Sequence, residues 1–522
     1  MARDDETGNS LKLIAGSSLI VLIAIISSKL ISYVYKILVA RVFGPEAYGL
    51  FSLGLIILGV FMALATLGLA DGLLRYVSFY RGKEEFGKIK FLINKSFKIM
   101  FIGSIISVII LMLLADIIAV YIFHNPELAY YLRILAISLP FGVFSGALLA
   151  IIRAFENIKA YAFLMNFLQN FLKVAFLAIL IFAGWKGDAI LFSYVLAYIA
   201  LAISAYLVYR KQVSAVYSKA DKDLTRTEKK NVTKDLFVYS WPLTFSGMVL
   251  ALFFWTDSLL LGFFTNANDV GIYSAAITIV GLFSISQDIF MQIFVPIVSK
   301  NLSMGKKELI RDITKQISKW ILLLNIPLFI ALFFFPETII NILFGEQYLG
   351  ATSALRILAV GGIFIGFTNL FVSLINIKGG TKRVLVIFLL FSILNAILDI
   401  ILIPIYGIVG AAIATTITWF LFAIVLVINI KKSYGFYPLN KTFIKIIGVS
   451  FIPSVLFYIL SGMFKHSLTN LIALGVSFVL VYLLLILLTK CLDRNDLDII
   501  TAAKNRVMRI GGLRYQEPYP EV

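Results

Sequence analysis

Apolar runs of about twenty or more residues recur from near residue 13 to residue 489, and they restrict the fold more than any other feature of the chain. A hydrocarbon layer about 30 Å thick takes roughly 20 residues of helix to cross, and a helix satisfies its own backbone hydrogen bonds there. The runs predict about fourteen spanning helices, at 13–40, 49–72, 97–123, 132–152, 161–183, 189–209, 236–263, 271–298, 317–344, 354–377, 384–403, 408–430, 443–463 and 468–489. The first is too long for the apolar core of a cleaved signal and is expected to stay in the membrane. With 61% apolar residues, 14% charged residues and a mean hydropathy of +0.97, the composition agrees with an all-α membrane protein.

The formal net charge is +18. With the N-terminus inside, 38 of the 46 Lys and Arg residues fall on inner segments. Five lie at outer ends (Arg41, Arg133, Lys186, Arg356 and Lys465), and Lys29, Lys36 and Lys173 lie within predicted spans. This positive-inside bias places both termini in the cytoplasm and explains the charge without nucleic acid. One cysteine, Cys491, excludes an internal disulfide, and two histidines, His124 and His466, offer no metal-ligand cluster. The chain has no Walker-type phosphate loop, so ATP is not expected to drive it directly. Outer loops such as TNANDVG and EQYLGATS are short and lack paired carboxylates, which argues against a polytopic enzyme. The D-x-D of Asp496 and Asp498 reads as an exposed helix end in the inner tail. The N-x-S/T triplets at Asn94, Asn231, Asn301 and Asn440 fall on inner segments and are expected to be unmodified.

A shift of 222 to 223 residues superposes YGLFSLGLIILGVF from Tyr48 on VGIYSAAITIVGLF from Val270, and LRILA at 132–136 on LRILA at 355–359. It also carries Gly184, Gly187, Ala189 and Ile190 onto Gly407, Gly410, Ala412 and Ile413. Matches in one register and one order predict a duplication. The expected organisation is an N-terminal lobe at 1–210, a cytoplasmic linker at 211–234 and a C-terminal lobe at 235–432. Two appended helices at 433–490 and a tail at 491–522, with an interfacial helix near 496–510, complete it. Six helices per repeat relate the lobes by an axis along the membrane normal, so a cargo site is expected between them, with alternating access by rocking.

An ionisable side chain at mid-depth costs on the order of 2.5 to 3.5 kcal/mol, so such groups face a cavity or a partner. In the first half they are cations. Lys29 and Lys36 are seven apart on one helix face, and Lys173 follows Asn166, Gln169 and Asn170. Together with Arg41 they are the candidate ligands of an anionic group such as phosphate, carboxylate or sulfate. The plainer alternatives are that Lys36 reaches to the outer surface and that Lys173 pairs with an acid across the bundle. In the second half the intramembrane charges are acids: Asp257, Asp288 (with Gln287 and Gln292) and Asp399. Asn395 and Asp399 are four apart and share a face, and Asp257, Asp399 and Thr415 fall at similar depth. Such oxygens suit Na⁺ or a proton; ordinary interhelical hydrogen bonds or a salt bridge to the basic half are the alternative.

ARVFGPEAYGLFSLGLIILGVF from Ala40, GLADGLLRYVSFYRGK from Gly68, LRILA from Leu132 and NAILDIILIPIYGIVGAAIATTIT from Asn395 carry a family resemblance. Over about residues 12 to 490 the chain resembles polysaccharide flippases of the Wzx type, in the multidrug/oligosaccharidyl-lipid/polysaccharide transporter superfamily. The resemblance implies two six-helix lobes in a V around a central cavity, plus two C-terminal helices. It implies movement of a polyprenyl-phosphate- or diphosphate-linked oligosaccharide across the cytoplasmic (cell) membrane, coupled to an ion gradient or the membrane potential. The implied partners are that lipid-linked glycan, membrane lipids and other polysaccharide assembly proteins, with Na⁺ or H⁺ as coupling ion and no other cofactor. Asp257, Asn395, Asp399 and Thr415 match the Na⁺-site pattern of some lipid II flippases. The headgroup-binding residues of those relatives are mainly arginines; here the deep cations are lysines. The alternative within the superfamily is a Na⁺- or H⁺-coupled exporter of organic cations. The three acids favour that reading, while the buried lysines and a count above its usual twelve spans disfavour it.

Overall fold

The structure, a computed structural model, describes residues 2–185, 187–219, 224–439, 442–461, 468–489 and 491, with side chains from Ser27 onward at most of these positions. The tail beyond Cys491 with its expected interfacial helix, Lys186, Asn440, Lys465 and His466 lie outside the described residues.

Helix α1 (Ala2–Thr66) carries the first two predicted spans. A loop is expected between them near 41–48, yet the chain is interrupted only at Gly44 (φ 79°, ψ 174°). Glycine takes that left-handed angle without strain, and Pro45, which has no N–H to leave unpaired, starts the helix again. After a break at Leu67 and Gly68, both of positive φ, α2 (Leu69–Gly82) continues the second span. The first half is completed by α3 (Phe86–Asp116), α4 (Glu127–Ala136), α5 (Ser138–Ala154), α6 (Ile158–Ala162), α7 (Gln169–Phe182) and α8 (Ala189–Lys219).

The second half begins with α9 (Arg226–Phe264), α10 (Ala267–Val280), α11 (Phe283–Ser303) and α12 (Lys307–Phe334). It continues through α13 (Pro336–Leu343), α14 (Thr352–Ile365), α15 (Thr368–Ile377), α16 (Thr381–Tyr406) and α17 (Ile408–Tyr434). Then come α18 (Thr442–Ser461) and α19 (Leu468–Leu488). The polar stretch 211–234, read as a linker, is helical on both sides, because α8 runs on to Lys219 and α9 starts at Arg226. Thr225 and Glu228 form a reciprocal capping box there, which fixes the start of α9 outside its apolar run.

The chain is a multi-pass, helical membrane protein. Among the described residues nine helices are long and apolar enough to cross a membrane, or up to eleven if the bent pairs α4/α5 (41°) and α10/α11 (44°) each form one span. The fourteen expected from sequence are not reached by this measure. Ser27–Thr66 counts as one helix although Gly44 divides it, and the last pair contributes only the shorter apolar helices Thr442–Phe451 and Gly475–Leu488. Large apolar side chains such as Phe182 (92% exposed) and Leu113 (72%) face outward, as a lipid solvent allows.

The duplication seen in sequence reappears as a two-fold contact. A methyl group built on Gly49 would come within 1.8 Å of the Ala267 carbonyl oxygen, and one on Gly271 within 1.8 Å of the Pro45 carbonyl oxygen. One on Gly59 would meet the Trp255 ring at 2.7 Å, and one on Gly281 the Tyr33 hydroxyl at 2.9 Å. The 222-residue shift exchanges Gly49 with Gly271, Pro45 with Ala267, Tyr33 with Trp255 and Gly59 with Gly281. Each contact therefore has its mirror, as a self-complementary interface requires. At the opposite end of the second span the halves meet again, where Gly68, just before α2, and Gly72 of α2 pack on Ser240 of α9 and the Tyr76 hydroxyl donates to the Asp235 carbonyl at 3.1 Å.

Candidate functional site

Between these two contacts lies a cavity of about 530 Å³ lined from both halves. From the first half it receives Ser32, Tyr35, Lys36, Asn170, Lys173 and Tyr198, and from the second Trp255, Ser258, Ser274 and Thr278. Lys173 projects from α7 over the rings of Tyr194 and Tyr198, 5.0 and 5.6 Å from their centroids. The π-faces hold the ammonium group without neutralising it. Lys36 lies on α1 next to the buried Tyr35. Among the described residues two cations and no carboxylate line this cavity, and several aromatic rings and hydroxyls surround them. That chemistry suits an anion joined to a polar, ring-shaped body: lysines for the anion, aromatic faces and hydroxyls for the body.

The π-helical turn at Phe163–Leu168 sets the position of α7. Ser28 of α1 donates to the Asn166 carbonyl at 2.8 Å, and the Asn170 amide donates to the same oxygen at 3.0 Å. An extra residue in the turn disturbs the usual carbonyl pairing, so α1 is fastened to the span that carries Lys173.

The other two cations singled out from sequence stand elsewhere. Lys29 reaches across to α11, pairing with the Asp288 carboxylate at 2.5 Å and donating to Ser284 Oγ at 2.9 Å. Arg41 donates to the carbonyls of Asn341, Ile342 and Leu343 at the end of α13. There its charge meets the negative end of a helix, and it does not line the cavity.

The four oxygen- and nitrogen-bearing residues expected to form an ion site converge inside the second half. Asp257 of α9, Asn395 and Asp399 of α16 and Thr415 of α17 are all buried, Asp399 completely. Thr415 Oγ1 donates to Asp257 Oδ2 at 2.5 Å. Tyr273 of α10, unremarked in the sequence, donates to the same oxygen at 2.8 Å and lies 3.2 Å from Thr415 Oγ1. Asp257 Oδ1, both Asp399 oxygens and Asn395 Nδ2 have no hydrogen-bond partner among the described residues. Two carboxylates packed together in an apolar interior require a compensating positive charge. The unpartnered oxygens fit a small monovalent cation or a proton.

Sequence reasoning passed over Tyr273, Tyr194 and Tyr198 because tyrosine inside an apolar run reads as core. The available signal was position: Tyr273 is two residues from Gly271, inside the repeated segment.

The family described as Polysaccharide biosynthesis protein matches residues 14–302, and the family described as Lipid II flippase MurJ matches residues 270–483. The chain is 24% identical over 477 residues to membrane protein MJ1068 of Methanocaldococcus jannaschii, a match spanning 87% of this chain and 91% of that one. It is 30% identical over 207 residues to a probable low-salt glycan biosynthesis flippase of Haloferax volcanii, spanning 39% of this chain and 43% of the relative. Among solved structures, lipid II flippase MurJ in an inward closed conformation superposes with a TM-score of 0.68 at 19% identity, over 89% of this chain and 98% of that chain. An inward-facing multidrug resistance MATE family transporter superposes with a TM-score of 0.62 at 16% identity, over 80% of this chain and 95% of that one. At such identities the structural likeness speaks for the fold alone.

Proposed function

Because the chain belongs to the polysaccharide biosynthesis family, whose match covers more than half its length, we propose that it moves a polyprenyl-phosphate- or diphosphate-linked oligosaccharide from one membrane leaflet to the other. It is a flippase-type transporter and not an enzyme. The observation that carries the choice of cargo is the lining of the inter-lobe cavity, with two lysines, aromatic rings, hydroxyls and, among the described residues, no carboxylate. An anionic headgroup fits that lining; an organic cation meets like charge in it.

In this reading the phosphate sits between Lys36 and Lys173, sugars stack on the Tyr194, Tyr198 and Trp255 rings, and the lipid tail stays in the bilayer. The α1/α10 contact at Gly49 and Gly271 is the outward-side closure, and the α2/α9 contact at Ser240 is the cytoplasmic closure. The basic-residue asymmetry supports that orientation in the cytoplasmic membrane, with both termini inside. The lobes, 1–210 and 235–432, rock against one another about an axis in the membrane plane, opening one contact while the other holds. Asp257, Asn395, Asp399, Thr415 and Tyr273 would hold the coupling ion, Na⁺ or H⁺, which supplies positive charge to a buried pair of carboxylates when bound.

Binding tests the reading against its rival. Purified full-length protein is titrated with geranylgeranyl diphosphate and, separately, with the cation rhodamine 6G. Binding of the diphosphate that weakens in Lys173→Ala supports a lipid-phosphate cargo, whereas binding of rhodamine 6G alone selects the organic-cation exporter.

A further inference from the structure

The Lys29–Asp288 pair ties the first half of the chain to the second, yet neither residue lines the cavity. Its placement is nevertheless tied to that cavity. Lys29, Ser32 and Lys36 follow at i, i+3 and i+7 on α1, so they share one helix face, and Ser32 and Lys36 do line it. On the other side, Ile277 and Thr278 of α10 line the cavity, and Ser284 and Asp288 follow on α11 just past the 44° bend. The pair therefore stands near one margin of the cavity, where the chain bends between α10 and α11. Its side chains are 30% and 26% exposed, so the pair is not sealed within the packed interior. Of the lysines at 29, 36 and 173, only Lys29 holds a carboxylate among the described residues.

Resting on the lipid-phosphate reading above, we infer that Asp288 is a stand-in for the cargo's phosphate: the entering headgroup displaces it from Lys29, which unfastens α11 from α1. Before cargo arrives, Lys29 is neutralised by Asp288 and the halves are held together on that side. A phosphate or diphosphate presents more anionic oxygens than one carboxylate and can bridge Lys29 to the two lysines already facing the cavity. Once it does so, Asp288 loses its partner and the tie between the halves is gone. Asp288 keeps Asn369 of α15, whose side-chain amide already donates to Asp288 Oδ1 at 3.5 Å. Lys29 is thus a cargo ligand whose occupation is reported to the inter-lobe contact, and Asp288 is its competitor.

The competition makes a prediction of opposite sign from a merely structural salt bridge. Affinity of the detergent-purified full chain for geranylgeranyl diphosphate is measured for wild type, Asp288→Asn, Lys29→Gln and the double variant, with melting temperature as a check of folding. Asp288→Asn is expected to bind the probe about fivefold more tightly, because the competitor is gone, and Lys29→Gln about tenfold more weakly. The double variant is expected to match Lys29→Gln. Should Asp288→Asn fold poorly, Asp288→Ser provides the same comparison. Binding by Asp288→Asn no tighter than wild type overturns the exchange while leaving the lipid-phosphate reading intact. Failure of wild type to bind the diphosphate at all overturns both.

Discussion

Gly49 and Gly271 meet backbone to backbone across the two halves, and a β-carbon on either would fall within 1.8 Å of the other half's carbonyl oxygen. The two are equivalent positions in the repeat, so the axis relating the halves passes between them. Only the conformation with this end closed needs both glycines. Gly271→Ala is therefore expected to destabilise that conformation by about 1 to 3 kcal/mol. A cysteine placed at Ser274, in a background with Cys491→Ser, should become more reactive to a water-soluble maleimide by about tenfold or more when Gly271→Ala is added. An unchanged labelling rate would mean that the contact is not a gate.

The cavity lysines should act on affinity and not on folding. Lys173→Ala removes an ammonium group held by tyrosine faces, and Lys36→Ala removes a second one that lines the same cavity. Each is expected to weaken binding of a prenyl diphosphate by about tenfold, close to 1.4 kcal/mol, with little change in melting temperature. Lys173→Arg should recover part of the loss.

Arg41 should behave in the reverse manner. Its guanidinium caps the last carbonyls of α13 outside the cavity. Arg41→Ala is expected to lower stability by about 1 kcal/mol and to leave diphosphate affinity unchanged. A fall in affinity of tenfold would return Arg41 to the group of cargo ligands in which the sequence placed it.

The carboxylate cluster predicts an ion effect that needs no cargo. If Asp257, Asn395, Asp399 and Thr415 hold Na⁺, adding NaCl in place of KCl raises the melting temperature of wild type, since a ligand bound only by the folded state stabilises it. Asp399→Asn should abolish the difference. Tyr273→Phe, which removes one of two hydroxyls donating to Asp257 Oδ2, should shift the midpoint of the Na⁺ titration by about fivefold, near 1 kcal/mol. Equal melting in the two salts, with a response to pH in its place, would assign the site to a proton.

Much of this arrangement could be read from residues alone, and the limits have physical causes. The apolar runs report the solvent directly, and a side chain as costly as Asp399 in that solvent marks itself as paired or functional. The repeat likewise exposed Gly49 and Gly271 as equivalent positions. Partner choice was less legible. Lys29 and Lys36 have the same helical phase, but only Lys29 reaches Asp288, because the bend between α10 and α11 brings that acid to α1. A bend arises from packing and leaves no periodic trace. Tyr273 escaped notice for a related reason: its ring belongs to the core, and only its hydroxyl, 2.8 Å from Asp257, belongs to the site. The helical course of 211–219 and 226–234 was hidden because charged residues interrupt an apolar pattern without interrupting a helix, and Thr225 and Glu228 cap the second of these stretches.

The most direct measurement is transport by the full chain reconstituted in liposomes, using a fluorescent polyprenyl-diphosphate-linked sugar and a membrane-impermeant quencher to follow its appearance in the opposite leaflet. The account predicts movement by wild type that depends on an ion gradient, drops by at least about tenfold in Lys173→Ala and loses its gradient dependence in Asp399→Asn. Absence of movement by wild type, alongside gradient-driven accumulation of an organic cation in the same liposomes, would contradict it.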